Sequence, residues 1–171
     1  PEIEQILIAN DRYEDEKNFE TKLYIIRKRI ENQIRRENIN EFYICSLSCR
    51  TIIYKGLFLA EQLSSFYPDI LDKRFISKFA IYHQRYSTNT FPTWSLAQPF
   101  RVLAHNGEIN TLKGNKNWMS AHEPRLQHKN FKEFIDDLKP IINYNDSDSA
   151  ALDSTMELLV HADRSLPMAK L

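Results

Sequence analysis

The clearest pattern of apolar and polar positions lies between residues 16 and 38. Apolar side chains recur there every three or four residues, the spacing of one helix face; they are Phe19, Leu23, Ile26, Ile30 and Ile34. The pattern predicts a helix over 16–38. Basic residues at 27–29 and 35–36 are interleaved with glutamates, which is typical of a solvent-exposed helix face, so we assign no partner to them.

The chain between residues 41 and 104 has the composition of short strands. Tyr, Ile, Phe and Thr are enriched at 42–47 and 51–54, and similar segments follow at 75–86 and 100–104. Helices are predicted at 57–66, 131–138 and 150–160. Strands interspersed with helices, without strict alternation or repeats, indicate an α+β domain. Cys45 and Cys49 are expected to be small buried residues, since no further ligands follow at metal-binding spacing.

Composition narrows the functional classes. The chain has 171 residues, with 23 basic and 23 acidic side chains, so it lacks the basic excess of nucleic-acid-binding domains. Charged groups interrupt every apolar run, so no membrane-spanning helix is expected. Three glycines exclude a collagen-like chain, and two cysteines exclude a disulfide scaffold. The N-terminus has no initiator Met and no signal segment. The C-terminus follows an apolar-periodic segment without a helix stop signal. Both features favour a piece of a longer chain.

A dense run of polar side chains follows the predicted strand at 75–86. It spans residues 83–90 and contains Arg85, whose guanidinium can hold a carboxylate in a bidentate manner while flanking hydroxyls and amides satisfy the remaining oxygens. The run therefore offers a carboxylate site. The alternative, a solvated turn with a structural arginine, remains open.

Two further polar clusters could bind the rest of a small polar substrate. Asn106 and Gly107 could supply converging amide donors to an oxyanion, although Asn-Gly is also a strong hairpin-turn signal. Residues 146–149 precede an apolar-periodic segment, and an ionised Asp148 there could hold an ammonium group. Simple helix capping is the alternative for that cluster.

These clusters lie within motifs that resemble a known family, the glutamine amidotransferase domain of the glutamate synthase large chain. The motifs are FYICSLSCRTIIYKG at 42–56, HQRYSTNTFPTW at 83–94, AQPFR at 97–101, LAHNGEINT at 103–111, GNKNWM at 114–119 and SDSA at 147–150. The resemblance covers nearly the whole chain. It implies an N-terminal-nucleophile hydrolase fold, an αββα sandwich, and a nucleophilic Cys at the mature N-terminus. Position 1 here is Pro, and neither internal cysteine matches the nucleophile's place.

The resemblance also implies roles for particular residues. Arg85 and Thr88 would hold the α-carboxylate of glutamine, Asp148 its α-ammonium, and Asn106 with the Gly107 amide would form the oxyanion hole. The sequence departs from the family at Asp163, where a Gly is usual before Arg-Ser, so the local turn is open to question.

Expectations for the whole enzyme follow from the same resemblance. Ammonia would pass to 2-oxoglutarate on a distant domain that carries FMN and an iron–sulfur cluster, and this chain would bind no metal or cofactor. Electrons would come from ferredoxin or from a small NAD(P)H-oxidising subunit, and neither nucleic acid nor membrane would be a partner. The expected location is the plastid stroma or the cytoplasm. A non-catalytic amino-acid-binding module and another class II amidotransferase are the alternative functions.

Overall fold

The computed structural model describes residues 2–11, 15–86 and 91–171. Its α-helices are α1 (Glu16–Arg36), α2 (Leu63–Phe66), α3 (Lys113–His122), α4 (Asp148–His161) and α5 (Leu166–Lys170). Single 3₁₀ segments lie at Ala60–Gln62, Pro68–Leu71, Trp94–Leu96, Glu123–Arg125 and Lys132–Leu138. In this part of the chain, no helix is long and apolar enough to cross a bilayer.

Helix α1 confirms the helix predicted from the apolar spacing. The Asp15 carboxylate caps its N-terminus by accepting from the amides of Lys17 and Asn18, at 3.1 and 3.3 Å. The helix ends two residues before the predicted limit, because Asn38 adopts a left-handed φ of 58°. The Ile39 amide then donates to the carbonyl of Ile34 and closes the last turn.

The prediction of a solvent-exposed basic face on α1 was wrong for Arg27 and Lys28. Their exposed fractions are 2% and 5%, whereas Ile26 and Ile30 of the predicted apolar face are 41% and 36% exposed. Lys28 Nζ donates to the carbonyls of Pro140 and Ile141. Arg27 and Lys28 are buried because the rest of the fold brings them carboxylate and carbonyl partners, which sequence periodicity does not reveal, whereas Arg29, Arg35 and Arg36 are exposed as predicted.

The main core lies between α1, the 3₁₀ segment at 132–138 and α4. It is a cluster of buried apolar side chains comprising Tyr24, Ile25, Phe131, Leu138, Ile141, Ile142, Ala151 and Leu158. A buried ion-pair network adjoins it: Arg27 bonds Glu31 at 2.8 Å and Glu157 at 2.5 Å, and Arg101 bonds Glu31 at 2.8 Å. Burial opposes the charge of Glu31, but Arg27 and Arg101 outweigh it and lower the pKa of this carboxyl. The network therefore joins α1, α4 and the segment around residue 101.

None of the predicted strands at 42–47, 51–54, 75–86 or 100–104 is formed in the described ranges. Side chains take the backbone donors that strand pairing would have used. The Ile53 amide donates to Ser46 Oγ, and the amides of Val102 and Leu103 donate to the Asp153 carboxylate. Because β-propensity measures how side chains fit a pleated surface, it does not ensure a partner strand. The αββα sandwich is therefore not confirmed in this part of the chain.

The remaining helix predictions differ in outcome. The helix predicted at 150–160 is confirmed as α4, which begins at Asp148 and is capped by Ser147 Oγ accepting from the Ala150 amide at 3.1 Å. The predicted helix at 131–138 is instead a 3₁₀ segment. Of the predicted helix at 57–66, only residues 60–66 are helical, as a 3₁₀ turn followed by α2.

Candidate functional site

A cavity of about 330 Å³ is lined by residues of all three polar clusters, among them Arg85, Gly107 and Asp148. The rest of its lining combines polar and apolar side chains: Tyr86, Leu96, Gln98, Phe100, Glu108, Ile109, Asn110, Leu112, Ser147 and Ser149. A pocket of this size, with a few convergent charged groups, suits a small polar molecule.

Arg85 contributes the positive charge of the cavity. Its backbone amide donates to His83 Nδ1 at 3.3 Å, and no described residue accepts a hydrogen bond from its guanidinium. The neighbouring Tyr86 hydroxyl accepts from the Thr93 amide at 3.0 Å, which ties this side of the cavity to the next segment. The guanidinium is thus placed to receive a carboxylate. The predicted helper Thr88 lies outside the described residues.

The loop with Asn106 and Gly107 contributes a further part of the lining through Gly107. Neither residue has a positive φ, so the predicted hairpin turn was wrong, and the loop makes an ordinary bend. Gly107 lines the cavity, whereas Asn106 is exposed beside it and does not line it. The His105 amide donates to Gln98 Oε1 at 2.9 Å, which links the loop to the wall at 96–100.

A buried carboxylate holds the chain just before this loop. Asp153 Oδ1 accepts from the amides of Val102 and Leu103 at 2.8 and 2.9 Å, and Oδ2 accepts from the Arg101 amide at 3.2 Å. These bonds make a turn of the segment that was predicted as a strand. Burial, with the negative charge of Glu157, raises the pKa of Asp153 to about 6. The turn thus depends on a carboxylate whose ionisation lowers the stability of the fold.

Asp148 supplies one of the two carboxylates of the cavity, from the first turn of α4; Glu108 is the other. Asp148 Oδ1 accepts from the Ser149 amide at 2.6 Å and from the Ser149 hydroxyl at 3.1 Å. Among the described residues, its Oδ2 accepts no hydrogen bond. Asp148 can therefore pair with a cation inside the cavity.

Sequence reasoning missed two lysines that support the cavity walls. Lys116, in α3, is 9% exposed, and its Nζ donates to the carbonyls of Tyr144 and Asp146, both at 2.6 Å, just before α4. Lys55 Nζ donates to the Ser95 carbonyl at 3.0 Å and lies 4.7 Å from the Phe100 ring centroid. Burial, followed by the charge of Arg101, lowers the pKa of Lys55 to about 8. Lys55 and Lys116 lie within the motifs quoted above, but the sequence alone does not indicate which carbonyls accept their hydrogen bonds.

A second cavity of about 230 Å³ lies next to the first. The two share Ile109, Leu112 and Asp148, and the second is otherwise bounded mainly by α3 and by apolar residues of α4. Asp148 therefore lies at the boundary between a polar cavity and a more apolar one.

The two cysteines are poorly suited to nucleophilic chemistry. Cys45 is half-buried, and burial raises the pKa of its thiol. Cys49 is exposed rather than buried as predicted; desolvation, followed by the Glu20 carboxylate 3.0 Å away, raises its pKa to about 11. Neither lines the two cavities described here. Within the described residues, no three His, Cys, Asp or Glu side chains are placed to hold a metal ion.

A comparison with protein families assigns the chain to a family. The model of the class-II glutamine amidotransferases matches residues 1–171, the whole chain. The chain belongs to this family.

Relatives that match the chain are glutamate synthases. The NADPH-type large chain of Azospirillum brasilense is 63% identical over 171 residues, which is all of this chain and 11% of the relative. The ferredoxin-dependent enzyme of Pyropia yezoensis is 49% identical over 168 residues, and the NADPH-type large chain of Bacillus subtilis is 48% identical over 165. In both cases the match covers 96% of this chain and 11% of the relative. The chain thus spans about a tenth of the length of these relatives.

Proposed function

We propose that the chain is part of the glutaminase site of a glutamate synthase, which hydrolyses L-glutamine to glutamate and ammonia. The observation that carries the proposal is the cavity in which Arg85, Gly107 and Asp148 meet from separate parts of the sequence. A zwitterionic amino acid has an α-carboxylate and an α-ammonium close together. The cavity is lined by one cationic side chain, Arg85, and by two carboxylates, Asp148 and Glu108, so each charge of the amino acid finds an opposite charge there.

Substrate binding follows from these charges. The Arg85 guanidinium pairs with the α-carboxylate, and Thr88 adds a hydroxyl donor. The Asp148 carboxylate pairs with the α-ammonium. Charge-assisted hydrogen bonds of this kind are each worth about 1.5–3 kcal/mol, so both together provide most of the ground-state selectivity for an amino acid.

Hydrolysis requires an oxyanion site and a nucleophile. The Gly107 amide lines the cavity and Asn106 lies beside it; both would donate to the carbonyl oxygen of the substrate amide as a thiolate attacks the carbon. The α-amino group of the nucleophilic residue, having taken the thiol proton, would return it to the leaving nitrogen, so that the tetrahedral intermediate expels ammonia and leaves a thioester, which water hydrolyses to glutamate. The raised thiol pKa values of Cys45 and Cys49 argue against either one as the nucleophile. We assign that role to an N-terminal Cys of the mature enzyme.

The rest of the reaction lies outside these 171 residues. Ammonia would be consumed by 2-oxoglutarate in a reductive step that FMN and an iron–sulfur cluster support, with electrons from ferredoxin or a small NAD(P)H-oxidising subunit. Iron–sulfur clusters are typically held by four ligands, mostly thiolates, and this chain has two cysteines. The residues present therefore do not fit such a cluster.

The αββα sandwich remains a proposal for the complete domain. It is supported by the family match and by the β-propensity of residues 42–54 and 75–86. Isotope-edited infrared spectroscopy tests it in a full-length large chain containing this sequence. Labelled residues 42–54 should absorb at the frequency of paired strands, and the absence of a strand signal would contradict the proposal.

The roles in binding can be tested in a chimera in which this chain replaces the matching segment of the Azospirillum brasilense large chain. Arg85→Lys should raise the glutamine KM about tenfold or more, because a point charge cannot reproduce the bidentate fork. The rate with ammonia in place of glutamine should not change. Arg125→Lys, an exposed arginine away from the cavity, is the matched control. An unchanged glutamine KM would remove Arg85 from the site.

A further inference from the structure

We propose that His105 is a positioning residue for substrate recognition: through Ser149 it holds the Asp148 carboxylate in the orientation that binds the α-ammonium of glutamine. The inference rests on the proposed function, since it assigns His105 to the ammonium part of that same site. It adds a residue to which no role has been given.

A hydrogen-bonded chain of three side chains carries this inference. His105 Nε2 lies 2.8 Å from Ser149 Oγ, and the Ser149 hydroxyl lies 3.1 Å from Asp148 Oδ1. Ser149 is only 8% exposed, so its hydroxyl has little access to water as an alternative partner. The hydrogen-bonded chain runs from His105, two positions before Gly107, to the start of α4. It therefore joins the proposed oxyanion and ammonium sites.

The direction of the hydrogen bonds follows from the chemistry of the groups. An ionised carboxylate can only accept, so the single hydroxyl proton of Ser149 is donated to Asp148. Ser149 Oγ must then accept from His105, which requires a proton on Nε2. This direction keeps negative charge on Asp148 and fixes its Oδ1, which also accepts the Ser149 amide. Oδ2 is left for the ligand.

The arrangement predicts which group of the ligand binds more weakly when His105 is replaced. Loss of the Nε2 donor frees the Ser149 hydroxyl to turn away from Asp148, and the carboxylate then loses its fixed orientation. Binding of the α-ammonium weakens, whereas the α-carboxylate at Arg85 and the side-chain amide keep their partners. A general loosening of the fold would weaken all three alike.

The experiment compares two ligands by titration calorimetry: L-glutamine and 4-carbamoylbutanoate, which is glutamine without its α-amino group. His105→Phe keeps an aromatic ring but removes the donor, and His105→Gln restores an N–H near the Nε2 position. Ser149→Ala removes the middle of the hydrogen-bonded chain. His122→Phe, at an exposed position in α3, is the matched control. Circular dichroism verifies that each variant is folded.

We expect the unmodified chain to bind glutamine at least tenfold more tightly than the analogue, through the charged pair at Asp148. His105→Phe and Ser149→Ala should each reduce glutamine affinity about fivefold or more and leave analogue affinity unchanged, and the double variant should lose no more than either. His105→Gln should retain most of the preference. If His105→Phe fails to fold, the Ser149→Ala and His105→Gln comparison decides alone.

The two ideas fail in different ways. If the unmodified chain binds both ligands equally, the ammonium site at Asp148 is wrong and so is the proposed function of that residue. If the unmodified chain prefers glutamine but the folded His105→Phe and Ser149→Ala variants keep that preference, only the role of His105 is overturned. Equal weakening of both ligands would also overturn it, because that result indicates a structural effect.

Discussion

Asp153 provides a quantitative test of the turn that leads into the Gly107 loop. Its carboxylate accepts three backbone amides, yet burial and Glu157 raise its pKa from 3.8 to about 6. Asp153→Asn keeps an oxygen for the amides of Val102 and Leu103 and removes the charge. It also places an NH₂ group toward the Arg101 amide, which loses its acceptor.

The size of the effect follows from proton linkage. A carboxyl whose pKa is higher in the folded state binds more protons there than in the unfolded chain, so its contribution to stability is present at low pH and is lost as pH rises through about 6. The free energy of unfolding of the unmodified chain should therefore fall, relative to Asp153→Asn, by about 2 kcal/mol between pH 4.5 and 7.5. The difference cancels carboxylates common to both proteins, such as Glu31, whose lowered pKa has the opposite effect.

Urea denaturation followed by circular dichroism, at several pH values, measures this difference. The midpoint of the change should lie between pH 5 and pH 6 because the native and unfolded pKa values bracket the transition. Asp136→Asn, at an exposed carboxylate, is the control and should give a much smaller pH dependence. If the stability difference between the unmodified chain and Asp153→Asn does not vary with pH, the claim that burial raises the pKa of Asp153 is refuted.

Three further substitutions probe the site and its support. Lys116→Met should lower the free energy of unfolding by about 2 kcal/mol, since two carbonyls lose a charged donor; Lys113→Met, at an exposed position, is the control, and equal urea midpoints would contradict the role. Asn106→Gly in the chimera should lower the glutamine-dependent turnover about 10²-fold with little change in KM, while ammonia-dependent synthesis survives; equal loss of both rates would indicate a folding defect, and no loss would exclude an oxyanion role. Asp163 has a φ of 66°, so Asp163→Ala should lower the melting temperature more than Asp163→Gly does, and the reverse order in differential scanning calorimetry would contradict the strained turn.

Local sequence patterns were sufficient to predict structure where a single element forms largely by itself. The period of α1 and α4 could be read directly, because a helix satisfies its own backbone and needs only an apolar stripe. The candidate residues Arg85, Gly107 and Asp148 could be named from their chemistry and from family resemblance. Their meeting in one cavity is a property of the fold.

The wrong predictions share a cause: the structure of these residues depends on hydrogen-bond partners that are distant in the sequence. Arg27 looked solvent-exposed because its partner Glu157 lies 130 positions away. The segment at 100–104 has strand composition, but Asp153, some fifty positions on, takes its amides. The His105–Ser149 bond spans 44 positions in the same way. No periodicity encodes such pairs.

Binding of L-glutamine to the chain itself tests the central claim most directly, since the cavity joining Arg85, Gly107 and Asp148 is formed within this sequence. Titration calorimetry should give saturable binding with one site per chain. Arg85→Lys and Asp148→Asn should each weaken that binding about tenfold. If the folded chain gives no heat of binding with glutamine, or if both variants bind as tightly as the unmodified chain, this cavity is not the glutamine site.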